Sequence, residues 1–160
     1  MNLHYPFQYD KTKVIQGLRY HFVTRPEIRI ILLLVNVFAI VAAVLFYMKK
    51  VRPEPFLLGS LLWLGMMSAF WYFLPNMIYK KSKTFQDSFI AHFLDNKLRL
   101  ESEQGYADWE WTKFKKFFES PNFFHLYFDD KSFLLLPKED MDDPLRHEVR
   151  GIFNKKIGRK

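Results

Sequence analysis

Residues 30–48, IILLLVNVFAIVAAVLFYM, contain no charge, and residues 56–78, FLLGSLLWLGMMSAFWYFLPNMI, are likewise uncharged over a slightly longer run. As an α-helix rising about 1.5 Å per residue, either segment is long enough to cross a hydrocarbon core about 30 Å thick. The Leu, Ile, Phe and Val side chains that dominate both segments each favour membrane insertion by roughly 0.3 to 0.6 kcal/mol at a helix centre. The sequence therefore predicts two transmembrane helices, at about 30–48 and 56–78.

Two other interpretations of these segments fit less well. A soluble domain in a chain of 160 residues rarely encloses two helices that are apolar on every side. A cleaved signal peptide has a shorter apolar run and a small-residue cleavage site, whereas here the run begins at Ile30 and is followed by KKVRPEP. We therefore expect an integral membrane protein, with the lipid bilayer as its first partner.

The connector between the two segments, residues 49–55, is short enough to predict an antiparallel hairpin with both chain termini on one side of the membrane. Basic residues lie before the hairpin (Arg19, Arg25, Arg29), after it (Lys80, Lys81, Lys83) and in the connector (Lys49, Lys50, Arg52). Two basic flanks against one favour cytoplasmic termini, because positive charge is retained on the cytoplasmic side. The basic connector argues for the opposite orientation.

Small residues four apart occur midway along both segments, Ala39 with Ala43 and Gly65 with Ala69. Such pairs let helix backbones approach closely where lipid offers no hydrophobic driving force for association. They indicate either an interface between two copies or, as we favour, ordinary packing within the hairpin or a chance spacing.

Residues 1–29 form an N-terminal segment with one predicted amphipathic helix, at about 10–23. Asp10 is a suitable N-cap, and Val14, Leu18 and then His21 or Phe22 follow helical spacing. The opposite side of this helix is polar and mostly basic. Its apolar face can lie on the membrane surface or pack under the C-terminal domain, and the sequence favours neither.

Residues 80–160 have a different composition, with sixteen Lys and Arg against fourteen Asp and Glu, a net charge of +2. Most of the chain's +7 therefore flanks the predicted membrane helices. A nucleic-acid-binding domain would concentrate basic residues on one folded face, so we expect no nucleic acid among the partners.

The sequence pattern of this region predicts short strands separated by turns and followed by a final helix. The predicted strands are 85–94, 98–103, 106–109, 115–119, 122–128 and 132–136, with one helical turn within EWTKF at 110–114. Asp142 or Asp143 caps the final helix, in which Leu145, Val149, Ile152, Phe153 and Ile157 form one stripe. Six or seven strands and one helix predict a soluble, compact α+β domain over residues 80–160.

The aromatic stretch KFFESPNFFHLYFDDKSFLLLPKED, residues 116–140, divides at SPN and DDK into strands that have two faces. Phe124, Leu126 and Phe128 point one way, which accounts for a core. Phe123, His125 and Tyr127 point the other way, with His125 expected to be exposed or partly covered. The closing helix, the N-terminal helix, the bilayer or a partner can cover this second face, which makes Phe123 and Tyr127 a candidate partner surface.

A second candidate surface is basic. Lys113, Lys115 and Lys116 lie beside Trp109 and Trp111. Each basic residue near an anionic membrane contributes roughly 1 kcal/mol, so the three lysines are candidate contacts to lipid headgroups. The favoured alternative is an ordinary solvated strand face.

The order of these elements resembles the YcxB-like family of bacterial membrane proteins. The resemblance is carried by YDKTKVIQGLRYHF at 9–22, VRPEPFLLGS at 51–60, the Trp-containing turn and the hairpin ending in LLLPK at 134–138. It implies a C-terminal domain similar to a pleckstrin-homology-like roll with a capping helix, anchored in the bacterial inner membrane by a multi-pass hairpin. It implies no catalytic residues.

No sequence feature indicates catalysis. The chain has no Cys, which removes thiol catalysis and thiolate metal sites, and its five His form neither HExxH nor an i, i+4 pair. Nucleotide-binding and nucleophile-elbow motifs are missing, and the acidic cluster KEDMDD at 138–143 is explained by helix capping. We expect a protein that is not an enzyme, with no catalytic residue, metal or cofactor.

Two functional hypotheses follow. In the first, the hairpin anchors an interaction or self-association module that uses a sheet edge or the closing helix. In the second, a small accessory or immunity-type protein acts through its transmembrane helices. The partner protein is unknown in both.

Overall fold

The structure is a computed structural model that describes residues 3–157. The chain divides into two compact units, an α+β unit containing residues 3–17 and 82–157 and a helical unit containing residues 18–81. The helices are α1 Lys11–Thr24, α2 Pro26–Tyr47, α3 Pro53–Ser68, α4 Leu74–Lys81 and α5 Asp143–Lys156. The strands are β1 Leu3–Gln8, β2 Ser88–Phe93, β3 Lys97–Ser102, β4 Gly105–Glu110, β5 Lys116–Glu119, β6 Phe123–Tyr127 and β7 Phe133–Pro137. Short 3-10 turns lie at Lys83–Gln86 and Trp111–Lys113.

The first sheet is antiparallel, in the order β1-β2-β3-β4. Strand β1 was not predicted, because the N-terminal segment was expected to contain only a helix. It pairs with β2 along its whole length, from Leu3 opposite Phe93 to Gln8 opposite Ser88. The predicted start of β2 at Phe85 is wrong, since Lys83–Gln86 is a 3-10 turn and the strand begins at Ser88. The first residues of the chain therefore complete the sheet of a domain whose other strands follow residue 82.

The second sheet is also antiparallel, in the order β5-β6-β7. Helix α5 begins at the predicted cap, where the Asp142 carboxylate accepts a hydrogen bond from the Leu145 amide at 2.9 Å. Its apolar stripe buries Val149 and Phe153 completely. The Phe153 ring lies 6.1 Å from Phe93 in the first sheet and 5.2 Å from Phe124 in the second. Side chains of both sheets therefore meet at α5 in one core.

The first half of α1 covers the opposite face of the second sheet. Asp10 caps this helix as predicted, accepting from the Lys13 amide at 2.9 Å. A Cβ atom placed on Gly17 would lie 3.0 Å from the Phe123 ring, so only a glycine lets the helix approach so closely. Val14 is fully buried, and Gln16 bonds Asn122 at 2.8 Å. The apolar face of this helix was expected either on the membrane surface or on the C-terminal domain. Up to Gly17, it packs on the C-terminal domain.

The helical unit contains two helices long and apolar enough to span a membrane, Pro26–Tyr47 with a mean hydropathy of 2.9 and Pro53–Lys81 with 1.6. The second is continuous through α3, a π-helical turn at Ala69–Phe73 and α4. The hairpin is antiparallel: Phe46 stacks on Phe56 at 4.2 Å beside the turn, while Leu32 and Phe70 line one groove further along. Asn36, the polar residue in the first segment, donates to the Leu32 carbonyl at 2.7 Å.

Half-buried positions on the two helices show where they pack. On α2 they are Ile28, Leu32, Val35, Ala39 and Ala42, and on the second helix they include Phe56, Ser60, Trp63, Met67 and Phe70. The alternating spacing of three and four is the pattern of two helices packed along a narrow left-handed seam. We call these ten residues the hairpin seam. The other residues of α2 from Ile30 to Tyr47 are exposed, and the apolar windows of both helices are 0% buried.

Candidate functional site

The small residues of the hairpin do not meet as predicted. Ala39 lies in the hairpin seam, whereas Ala43, Gly65 and Ala69 are exposed. A Cβ atom on Gly65 would find none of the described side chains or neighbouring backbone within 4 Å. Packing between the two helices of one hairpin therefore does not account for Gly65 and Ala69.

The π-helical turn has a specific cause. Pro75 has no amide hydrogen, so it cannot bond the Trp71 carbonyl one turn earlier. The Arg19 guanidinium donates to that carbonyl at 2.9 Å and lies 5.4 Å from the Trp71 ring centre. The Leu74 amide bonds Ala69, five residues back, which is the π-helical pattern. A side chain from α1 thus replaces the backbone bond that proline removes.

Phe123 and Tyr127 are buried, with 1% and 5% of their surface exposed. The prediction that they form an accessible partner surface is corrected, because α1 covers Phe123 and the Phe133 ring lies 5.7 Å from Tyr127. His125 is also fully buried, so its predicted exposure is wrong. Its Nε2 atom is 2.9 Å from the Ser120 hydroxyl. Strand β6 is therefore core on both of its faces, whereas Phe118 on β5 is 37% exposed.

The three lysines proposed for lipid headgroups are all exposed. Lys113 ends a 3-10 turn, Lys115 follows it, and Lys116 begins β5, where its ammonium lies 3.4 Å from Asp130 and 5.2 Å from the Tyr127 ring. Trp111 is buried beneath this segment and bonds the Leu94 carbonyl at 2.9 Å. The structure leaves all three lysines accessible, and headgroup contact remains a prediction.

Strand β4 is an exposed edge that sequence reasoning did not single out. All its residues except the half-buried Trp109 are exposed, and Tyr106 is 68% exposed. The turn to β3 has two residues, so Ser102 and Gly105 flank it as a hydrogen-bonded pair. Since such pairs alternate, the amides of Tyr106, Asp108 and Glu110 point away from β3. The other edge strand, β1, contains Pro6, which has no amide hydrogen to offer.

The outward face of the first sheet is polar. Lys97 and Arg99 both bind Asp108, each with one contact of 2.6 Å. The bonds from Arg99 and then Lys97 hold the pKa of Asp108 far below its usual value. His4, His92 and Glu101 occupy the adjoining part of this face. We call these six residues the polar face. Its full extent was not predicted, because His4 reaches it only through the unpredicted pairing of β1 with β2.

The residues described by the structure, 3–157, contain no group of three or more His, Asp or Glu side chains placed to hold a metal ion. A groove in the helical unit, with a cavity volume of only about 10 Å³, is lined mainly by apolar side chains, among them Phe22, Leu32 and Trp71. Arg19 is its one charged lining residue, and that side chain is already bonded to the Trp71 carbonyl. This groove therefore lacks the convergent polar groups of a small-molecule site.

The fold is that of an α+β protein with two long apolar helices inserted after its first strand and first helix. Residues 93–148 match the family model described as YcxB-like protein, a range that begins at the end of β2 and reaches into α5. The family resemblance inferred from the sequence is confirmed over this range. No curated protein and no solved structure matches the chain.

Proposed function

We propose that this protein is a membrane-anchored, non-enzymatic interaction module of the bacterial inner membrane. Helices α2 and Pro53–Lys81 span the bilayer twice, with both termini in the cytoplasm, and the α+β unit is a pleckstrin-homology-like roll held at that surface. The observation that carries the proposal is the open edge of β4. A partner protein, or a second copy of the chain, adds a strand there.

Main-chain hydrogen bonding at a sheet edge suits a protein without a deep pocket. An added strand gains its affinity from amide and carbonyl groups along the edge, and its specificity from alternate side chains. Natural proteins usually protect long edges with prolines, lysines or covering loops. Strand β1 contains Pro6. Strand β4 contains no proline, and three of its amides, including that of the exposed Tyr106, point away from β3.

Purification of the intact protein in a mild detergent, with light scattering and mass spectrometry of bound proteins, tests this proposal. We expect a reproducible companion or a dimer, lost in Tyr106→Pro and retained in Tyr106→Ala. The proline removes an outward amide and no bond to β3, while the alanine controls for the side chain. A companion that survives Tyr106→Pro in a folded protein, or a bare monomer in the wild type, refutes the edge proposal.

A second candidate function, an accessory or immunity-type role carried by the helices, is favoured by the positions of Gly65 and Ala69. Both lie outside the hairpin seam, where close approach of another helix is sterically open. In this case Gly65→Ile should abolish association while Gly59→Ile, also in open space on α3, should not. Replacing residues 26–81 by an unrelated hairpin would preserve the first function and eliminate this one.

A further inference from the structure

Two histidines from distant parts of the chain meet on the polar face. His4 on β1 is the register partner of His92 on β2. Their Nδ1 atoms are 2.6 Å apart, and the ring planes cross at 78°. One ring must donate and the other accept at this distance, so two imidazole nitrogens converge on one point.

Glu101 on β3 determines which ring accepts. Its carboxylate Oε2 lies 2.9 Å from Nε2 of His92. A carboxylate only accepts, so the hydrogen of neutral His92 is on Nε2, and its Nδ1 lone pair faces His4. A carboxylate behind an imidazole is the arrangement that fixes the orientation of metal-ligating histidines and raises their basicity.

The nearest cation on this face is compensated. Arg99 is the register partner of His92 on β3. Its Nε and Nη2 atoms donate to Asp108 at 2.6 and 3.0 Å, and its guanidinium lies 4.4 Å from the Tyr106 ring centre. The positive charge of Arg99 is therefore compensated by the Asp108 carboxylate, and its guanidinium group is held beside the Tyr106 ring.

We propose that His4 and His92 chelate one Cu²⁺, Ni²⁺ or Zn²⁺ ion through their Nδ1 atoms. Glu101 supports His92 from behind, and water completes the coordination. The metal takes the place of the hydrogen between the two Nδ1 atoms; His4 gives this hydrogen up and carries one on Nε2 instead, so both rings bind the ion in their neutral form. The Nδ1 atoms must separate to admit two bonds of about 2.0 to 2.1 Å, and the exposed His4 side chain is the one that rotates, because His92 is half-buried. Imidazole nitrogens suit these ions, whereas Ca²⁺ and Mg²⁺ prefer oxygen ligands.

Titration calorimetry of the untagged, detergent-solubilised full chain with the metal salts alone tests this site. We expect one ion per chain, with Cu²⁺ bound more tightly than Ni²⁺ or Zn²⁺, and no heat with Ca²⁺ or Mg²⁺. His4→Ala and His92→Ala should each weaken binding at least tenfold. Glu101→Ala should weaken it by about 10- to 100-fold, as removal of a supporting carboxylate does.

His147→Ala is the matched control, because His147 is exposed on α5 and should not affect the titration. Circular dichroism of each variant establishes that it is folded. Binding that survives His92→Ala overturns the proposal. Equal losses in His147→Ala, or no binding in the wild type, overturn it as well.

Discussion

The α+β unit and the helical unit differ in how far their aromatic side chains are buried. Phe153 on α5 is 0% exposed and surrounded by rings from both sheets, whereas Phe38 on α2 is 75% exposed. The glycines show the same contrast, since Gly17 touches Phe123 while Gly65 has open space beside it. One unit buries its apolar surface in a core of its own. The other leaves it outside, which is stable only if lipid or another protein covers it.

The largest expected effect comes from removing the buried Phe153 ring of the α+β unit, compared with removing the exposed Phe38 ring of the helical unit. Phe153→Ala should destabilise the α+β unit by about 3 to 5 kcal/mol, because it leaves a cavity among packed rings. Phe38→Ala should change the stability of that unit by less than about 0.5 kcal/mol. Denaturant unfolding of the detergent-solubilised chain, followed by tryptophan fluorescence, measures both. Similar losses from the two substitutions would remove the distinction between the units.

A smaller effect should come from Glu119, which joins β5 to α5 and to the residue that follows β7. Its carboxylate accepts two bonds of 2.8 Å from Arg150 and one of 2.8 Å from Lys138, which is 8% exposed. Glu119→Ala should cost about 2 kcal/mol, since charged hydrogen bonds are lost and Lys138 remains buried without them. The helical unit offers no such buried pair among its described residues.

This ion pair should also make the stability of the α+β unit depend on pH. The bonds from Arg150, and then from Lys138, lower the pKa of Glu119 from 4.5 to about 2. A group with a lowered folded pKa stabilises the fold above its unfolded pKa, so this contribution should be lost as the pH falls from about 4.5 to 2. Unfolding titrations should show a shallower acid loss in Glu119→Gln. Identical slopes in the two proteins would contradict the assignment.

The smallest expected effects come from adding a side chain at two glycines, one in close contact with a neighbouring ring and one beside open space. Gly151 on α5 has no described atom within 4 Å of an added Cβ, so Gly151→Ala should stabilise the unit by about 0.5 to 1 kcal/mol through helix propensity. Gly17→Leu should destabilise it by about 1 to 3 kcal/mol, because Phe123 is already 3.0 Å from the Cβ position. Thermal unfolding gives both signs, and a stabilising Gly17→Leu would show that α1 does not hold Phe123.

Much of the local structure was predictable because it follows short-range signals. The caps Asp10 and Asp142, the strands separated by SPN and DDK, and the stripe of α5 all depend on neighbouring residues. The length of the apolar runs predicted the two long helices, although both begin a few residues earlier than expected, after Arg25 and Arg52. Proline at the first helical positions explains this, since its φ angle is already suited to a helix start.

The features that sequence reasoning missed depend on contacts between distant residues. Strand β1 is short and contains Pro6, and only its pairing with β2 across the intervening hairpin makes it a strand. The burial of His125 follows from two layers, α5 on one side of β6 and α1 on the other, which no alternation within β6 reveals. The polar face and the His4–His92 pair become visible only with the register of β1.

Whether lipid covers the exposed apolar helices can be measured by single-cysteine labelling with a membrane-impermeant maleimide, because the chain contains no Cys of its own. We predict that Lys50→Cys labels in intact spheroplasts, Lys131→Cys labels only after lysis, and Phe38→Cys labels in neither case until detergent is added. Labelling of Phe38→Cys as fast as Lys131→Cys in lysed cells without detergent would contradict a membrane-embedded hairpin.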